Sequence, residues 1–272
     1  NQTFRPAAFT TDFYGLKWQG QTGNLIDDSI LFYGAYEKFV LFFMRDVLAE
    51  QKLPDAVFFD VGSAMGQHSL FMSRYASQVH AFEPLSELVE RFQLLAELNE
   101  IKNITIHPVG LGREQSKKVF DLEATSFLNR SNSIKTAQLS IVPGDVIVQE
   151  RGIRRVDLIK IDVEGFEKQV ILGLKQTLQR DRPVIVMEVF ANQDPEFGFK
   201  DEKDFFLQLP ENYDLLEFSR KSDGYTGYYE LIPAEFGKSD GNLVIFPKEK
   251  AHFVPLRGKT IESRDQAFIA QK

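Results

Sequence analysis

The chain has 272 residues, 43% apolar and 26% charged, the make-up of a soluble globular protein rather than a disordered or membrane-embedded one. A net charge of −7 leaves no basic footprint for a general nucleic-acid binder. With no cysteine there is no disulfide framework, thiolate metal site or catalytic thiol, which agrees with a cytoplasmic, reducing setting. The start, at Asn1 rather than Met, shows no basic stretch followed by an apolar one, so no signal peptide is expected. The most apolar window, Phe39 to Leu48, is interrupted by Arg45 and Asp46 and is too short to span a bilayer.

The first 30 residues have no clean period and read as an extended arm. From Ala35 to Gln51 the pattern becomes helical, with Phe39, Val40, Phe43 and Val47 on one side, and Pro54 ends it. A strand–helix alternation follows. Ala56 to Val61 is a short apolar run suited to a strand buried on both faces. Gly62 to Gly66 is a turn, and His68 to Ala76 is helical. Gln78 to Phe82 is a second strand, and Leu85, Leu88, Val89, Phe92, Leu95 and Ala96 mark a helix stripe. Asn103 to Val109 is a third strand. Gly112 to Ser140 is polar and irregular, with room for one β-ribbon, and a short helix lies within Ile141 to Glu150. Val156 to Ile161 is the fourth strand, Gly165 to Gln179 one helix, and Pro183 to Val189 the fifth strand. A helix over Lys200 to Leu209 stops at Pro210. Tyr213 to Phe218 and Asn242 to Phe246 are the last strands. No crossover helix separates them, so an antiparallel final pair is expected. The repeated β-α units predict a doubly wound, mostly parallel sheet with helices on both faces. The expected division is an N-terminal arm and helix (1–52) on the cofactor side, the main domain (53–250) and a polar tail (251–272).

The sharpest chemical feature is Val57-Phe58-Phe59-Asp60-Val61-Gly62-Ser63-Ala64-Met65-Gly66, an apolar strand leading through a glycine turn into a helix. Glycine permits close backbone approach, and ligands in open α/β sheets bind past the carboxyl ends of the strands. The spacing is Asp-x-Gly-x-x-x-Gly, not the Gly-x-Gly-x-x-Gly of dinucleotide sites. A carboxylate at Asp60 would repel a pyrophosphate and suit a cationic ligand such as S-adenosylmethionine, which carries a sulfonium and an ammonium. Glu83 closes the second strand and is placed to accept ribose hydroxyls, although a solvated strand-end carboxylate would look the same. Lys160-Ile161-Asp162-Val163-Glu164-Gly165 ends the fourth strand. Its two carboxylates need a neutralising partner if buried: an amine, a sulfonium or a metal. The spacing is not diagnostic of a metal, and none is assigned. Glu188 ends the fifth strand on the same rim.

Asp60 to Gly66, Ala81-Phe82-Glu83-Pro84, Asp157 to Glu167 and Arg182 to Val189 together resemble the FkbM-type methyltransferases. The resemblance runs from about Val57 to Val189, with the Asp162-Val163-Glu164-Gly165 block its most specific part. Phe32 to Glu37 also looks like a segment that precedes the domain in some members. The resemblance implies a class I, Rossmann-like fold with seven strands in the order 3-2-1-4-5-7-6 and strand 7 antiparallel. It also implies methyl transfer from S-adenosylmethionine, often to a hydroxyl of a sugar, glycan or natural product. Members often carry Asn where Ala64 or Met65 stands. Carried over by position, Asp60, Gly62, Ser63 and Gly66 frame the methionine part of the cofactor. Glu83 holds the ribose, Leu85, Gly110 and Leu111 border the adenine, and Asp162 sits near the ammonium or sulfonium.

A hydroxyl acceptor benefits from a general base, and His68, Asp162 and Glu164 compete for that role with nothing in the sequence to choose among them. A lone histidine is more often a packing or surface residue. Tyr36, Glu188, Tyr225 and Tyr228 are candidate substrate contacts, with Tyr33, Tyr36 and Glu37 placed to close over the cofactor. Ordinary packing would explain the same aromatics. The expected partner is a small-molecule or glycan acceptor, with no nucleic acid and no transmembrane segment. Two other classes remain: a nucleotide-dependent oxidoreductase, which the missing glycine fingerprint disfavours, and a non-catalytic binding protein on the same fold.

Overall fold

A computed structural model describes residues 5–121, 136–189, 198–234, 236 and 241–258. The first residues form a hairpin, not an extended arm: β1 (Ala8–Phe13) pairs with β2 (Leu16–Gln21) through Tyr14 and Gly15, both at positive φ. Helix α1 (Leu25–Tyr33) follows, capped by Asn24, whose side chain accepts from the amides of Ile26 and Asp27. Helix α2 (Lys38–Gln51) is apolar nearly all round because it is sunk in the core; Val40 to Val47 are all buried.

The βα units come next: β3 (Val57–Val61), α3 (Gln67–Met72), β4 (Gln78–Phe82), α4 (Ser86–Leu98) and β5 (Ile104–His107). The helix α4 buries the expected stripe of Leu88, Val89, Phe92, Leu95 and Ala96. A small sheet interrupts the winding. It holds β6 (Gly110–Leu111), β7 (Ser116–Asp121) and β8 (Thr136–Val142), with β8 central and β7 antiparallel to it. The chain between β7 and β8, within the stretch read as irregular, lies outside the described residues. Then come α5 (Gly144–Glu150), β9 (Leu158–Ile161), α6 (Glu167–Gly173), α7 (Lys175–Asp181), β10 (Val184–Val189), α8 (Glu202–Gln208), β11 (Tyr213–Phe218), β12 (Leu231–Pro233) and β13 (Gly241–Pro247). The single helix expected over 165–179 is two, because fully buried Leu174 leaves helical geometry at φ −107°, ψ 16°. Lys248–Phe253 forms a short 3-10 helix, and Arg257 bridges to Glu230, so the start of the tail is tied down.

The main sheet has the order β12-β11-β13-β10-β9-β3-β4-β5. It contains eight strands where seven were expected. The eighth, β12, comes from the linker 219–241 and covers the outer edge of β11, which would otherwise expose an unpaired ladder. Strands β10, β9, β3, β4 and β5 are parallel, and β13 runs antiparallel between β10 and β11. Alternation along the strands makes two cores. Phe58, Leu158, Val184, Val186 and Val244 face α2, α3 and α4, while Phe59, Ile159, Ile161, Ile185 and Ile245 face α6, α7 and α8. Among the described residues no helix is long and apolar enough to cross a membrane.

The hairpin is anchored by one fully buried carboxylate. Asp27 accepts from Trp18 Nε1 at 2.8 Å and from the Gln21 amide at 2.9 Å, and pairs with Arg91 of α4. Asp27→Ala strands those donors in the core. It should destabilise the fold by about 3 kcal/mol, the scale for breaking a buried ion pair, read as a lower urea midpoint with an unchanged slope.

Candidate active site

Strand β3 carries its chain into the turn through Gly62 (φ +82°). A Cβ at Gly62 would lie 1.7 Å from the carbonyl oxygen of Asp162, so the ends of β3 and β9 can meet only over a glycine. The amides of Gly62 and Ser63 both donate to Phe82 O, which draws the turn across the end of β4. Ala64 then adopts φ +47°, and its amide donates to Glu83 Oε2 at 3.0 Å, while the Leu85 amide donates to Oε1 at 2.8 Å. Glu83 is thereby clamped by backbone on both oxygens. Burial pushes its carboxyl up to about 7, against the pull of the two amides.

Beside this clamp lies a cleft of about 1120 Å³, counting the space open to solvent. Its floor is Val61, Gly62 and Ser63; its walls are Phe82, Pro84, Leu85, Leu88, Leu111, Ile141 and Phe166, with Tyr36, His68, Asp162 and Glu164 among its polar lining. The lining is largely apolar with a few convergent polar groups, as small-molecule sites are.

Next to the cleft the alternation of one sheet face turns polar. Asp60, Lys160, Asp162, Glu188 and Asn242 continue the face that carries Phe58, Leu158, Val186 and Val244. Lys160 is fully buried, and its Nζ donates to Asp162 Oδ2 at 3.2 Å. Burial works against the ammonium, but Asp162, Glu37 and Glu188 around it raise its pKa above the ordinary value. Asp162 and Glu188 share a hydrogen bond. Burial opposes ionisation of both, yet Lys160 holds the Asp162 carboxyl below its usual range while Glu188, facing that charge, is pushed well up. Glu164, at φ +54°, is raised to about 7 by burial and by the charges of Asp162 and Glu167. Burial, then Lys160, lowers His68 to about 3, so its imidazole is neutral at pH 7. Glu37, the N-cap of α2, accepts from Asn242 Nδ2 at 2.6 Å, and burial raises its carboxyl. Among the described residues no group of three carboxylates or histidines is arranged to hold a metal.

Of the residues singled out in the sequence, Tyr36, Gly62, Ser63, His68, Glu83, Leu85, Gly110, Leu111, Asp162 and Glu164 all line the cleft. Asp60 does not. It lies beneath the floor, 1% exposed, accepting from Ser69 Oγ at 2.6 Å, with burial raising it to about 6. Gly66 also sits below, at φ +88°, starting α3 where a Cβ would strike the Phe92 ring. Glu188 is not among the residues lining the cleft and meets the site through its hydrogen bond with Asp162. Tyr225 and Tyr228 are not among the residues that line this cleft. The Asp223 carboxylate gathers the Tyr225 and Thr226 amides into a turn, Lys38 Nζ holds the Tyr225 carbonyl at 2.7 Å, and the Tyr225 ring packs edge-on against Tyr33. The loop's buried aromatic is Tyr229, whose hydroxyl donates to Asp46 at 2.8 Å.

Sequence reasoning passed over Ile26, Gln67, Ile141 and Phe166 in the lining, and Lys160 and Asn242 beside it. Gln67 holds Tyr36 by two backbone hydrogen bonds, at 2.7 and 3.0 Å, which docks the N-terminal segment over the cleft. The missed signal was Lys160, a lysine on a strand buried on both faces. Ile26 and Ile141 carried none, since tertiary packing alone brings them there.

Over residues 60–225 the chain matches the methyltransferase FkbM domain. Among curated proteins it is similar to the hexuronic acid methyltransferase AglP of Haloferax volcanii, 30% identical over 154 residues that cover 55% of this chain and 62% of that protein. It is also similar to Methyltransferase 1 of Beauveria bassiana, 29% identical over 146 residues covering 44% and 59%. The chain thus matches about three-fifths of the length of these curated relatives. A solved SAM-dependent methyltransferase from Agrobacterium tumefaciens superposes with a TM-score of 0.51 at 10% identity, covering 90% of this chain and 72% of that one, a likeness of fold. With more than half of its residues inside the matched domain, this chain belongs to the FkbM methyltransferase family.

Proposed function

We propose that the protein is an S-adenosylmethionine-dependent methyltransferase acting on a hydroxyl oxygen of a sugar, glycan or natural product. The observation that carries the reading is the charge imbalance beside the cleft: one buried ammonium, Lys160, faces Glu37, Asp60, Asp162 and Glu188. Such a site favours a cationic ligand. Glu83, with both oxygens already fixed by amides, has lone pairs left for two hydroxyl donors, and Leu85, Gly110 and Leu111 offer an apolar slot to a flat ring. Ser63 Oγ is buried at the floor with no hydrogen-bond partner among the described residues. These residues fit the cofactor: Glu83 to the ribose, Ser63 and Asp162 to the methionine end, Leu85 and Leu111 to the adenine. Asp60 and Gly66 support the floor from below.

The bound cofactor supplies an electrophilic methyl group; the chain itself has to align the acceptor, keep water out and take a proton. His68, Asp162 and Glu164 stand at the cleft for that last task. Asp162 is held by Lys160, His68 is neutral, and Glu164 has a carboxyl poised near 7. Tyr36 borders the acceptor side. The named activity of the Haloferax volcanii relative favours a sugar acid among the acceptors. In this reading the sheet is the seven-stranded class I arrangement with β12 added at its edge. Residues 1–52 roof the cofactor, 53–250 form the catalytic domain and 251–272 the tail. The protein works in the cytoplasm without nucleic acid or metal.

Three outcomes test the proposal. S-adenosylhomocysteine should raise the melting temperature and NAD should not. Glu83→Ala should weaken S-adenosylhomocysteine binding by calorimetry roughly 10- to 100-fold, the equivalent of about 1.5–3 kcal/mol for charge-assisted hydrogen bonds; unchanged affinity removes Glu83 from the site. Because ribose donors favour the ionised carboxylate, the Glu83 pKa must fall from about 7 on binding. Protons are then released at pH 6.5, and affinity declines as pH drops below about 7. Calorimetry in two buffers of different ionisation enthalpy reads this directly, and Glu83→Gln should abolish that share of it.

A further inference from the structure

His68 lines the cleft from α3, and Glu37 stands beside it at the start of α2. His68 Nε2 and Glu37 Oε2 stand 3.9 Å apart. Both atoms are shut off from solvent, and neither has a hydrogen-bond partner among the described residues. A buried polar atom left unpaired costs more than a made hydrogen bond returns. Each atom has the other at 3.9 Å, too far for a made hydrogen bond and close enough for one to form on a small movement. The second oxygen of Glu37 is already fixed by Asn242 at 2.6 Å, and Glu37 is held at φ +46°, ψ +44°, a left-handed conformation that persists in a non-glycine residue only where its surroundings impose it. Everything around Glu37 thus aims one free carboxylate oxygen at one ring nitrogen of His68.

We propose that Glu37 is the positioning residue for His68: the contact closes to hydrogen-bond length, keeps the imidazole proton on Nε2, and leaves Nδ1 as the proton acceptor for the substrate hydroxyl. This rests on the methyl-transfer reading above. In the transfer, a lone pair of the acceptor oxygen forms the new bond to the methyl carbon and the carbon–sulfur pair returns to sulfur. The hydroxyl proton passes to His68 Nδ1, and the Glu37 carboxylate faces the imidazolium through Nε2–H. Catalytic hydrogen bonds are often long before substrate arrives, so 3.9 Å in the free protein is compatible with this role. While the two groups are apart, burial raises Glu37 and lowers His68, driving both toward their neutral forms; contact gives each the partner that burial otherwise denies it. Lys160, Asp162, Glu188 and Tyr36 surround the pair, and Lys160 prevents a bare excess of negative charge. The inference also gives a reason for the N-terminal segment: Glu37 lies upstream of the matched domain.

The test pairs a kinetic with a spectroscopic readout. In the free protein labelled with 15N-histidine, His68 is assigned by its loss in His68→Gln. Its nitrogen shifts should report the Nε2–H tautomer, and Glu37→Gln should remove that preference. In turnover, Glu37→Gln should lower kcat roughly 100-fold with acceptor KM unchanged. The double variant Glu37→Gln, His68→Gln should fall no more than about twofold below His68→Gln alone, because the residues act as one unit. A wild-type His68 protonated on Nδ1, a tautomer indifferent to Glu37→Gln, or losses that multiply in the double variant would each overturn the proposal. If the wild-type protein fails to bind S-adenosylhomocysteine, the methyl-transfer reading falls, while the tautomer measurement still decides the Glu37–His68 contact.

Discussion

The site depends on burying one ammonium. Lys160 sits at a position of β9 where the strand is covered on both faces, and its side chain is fully enclosed. An isolated charge there would be prohibitive. It survives because the same sheet face supplies Asp162 two residues on, Glu188 from β10 and Asp60 from β3, with Glu37 packed above. The strand register is therefore also an electrostatic register. A slip of one residue would turn Lys160 to the opposite, apolar core of Ile159, Ile161 and Ile185, away from Asp60 and Glu188.

The N-terminal segment is fastened by the same logic. Asp27 collects Trp18, Gln21 and Arg91, and Gln67 grips Tyr36 by both backbone groups. With those points fixed, the chain enters α2 through Glu37 in a conformation it would not choose alone. Glu37, Ala64 and Glu164 are three non-glycine residues with positive φ around one cleft. Strain of that kind belongs where geometry matters more than local preference.

How much of this the sequence disclosed follows from which forces act locally. Strands β3, β4, β10 and β11 were plain because short apolar runs between glycine and polar turns have few other readings. The glycine turn, Glu83 and the Asp162-to-Gly165 block were legible because backbone chemistry restricts them. The hairpin β1–β2 was missed because its turn is Tyr14-Gly15, without the usual Asn-Gly or Asp-Gly signal, and the strand alternation around it is weak. Tyr225 and Tyr228 looked like substrate contacts because aromatic content is visible, whereas the Asp223 turn and the Lys38 clasp that hold Tyr225 against Tyr33 are not. Asp60 was read as a ligand contact from its motif position. Strand alternation gives its true place, under the floor with Ser69.

That correction moves the anionic character of the site rather than removing it. Glu188 is pushed toward its protonated form while Lys160 holds Asp162 ionised, so at the end of β9 the charge open to a ligand sits on Asp162. Lys160 cannot neutralise Asp162 and still balance Glu37, so any proton lost from the surrounding acids adds negative charge at the end of β9. A ligand bringing positive charge to that point relieves the strain of the whole cluster, whereas an anion meets all of it. The discrimination is therefore set by the arrangement of buried charge behind the cleft as much as by the side chains that line it.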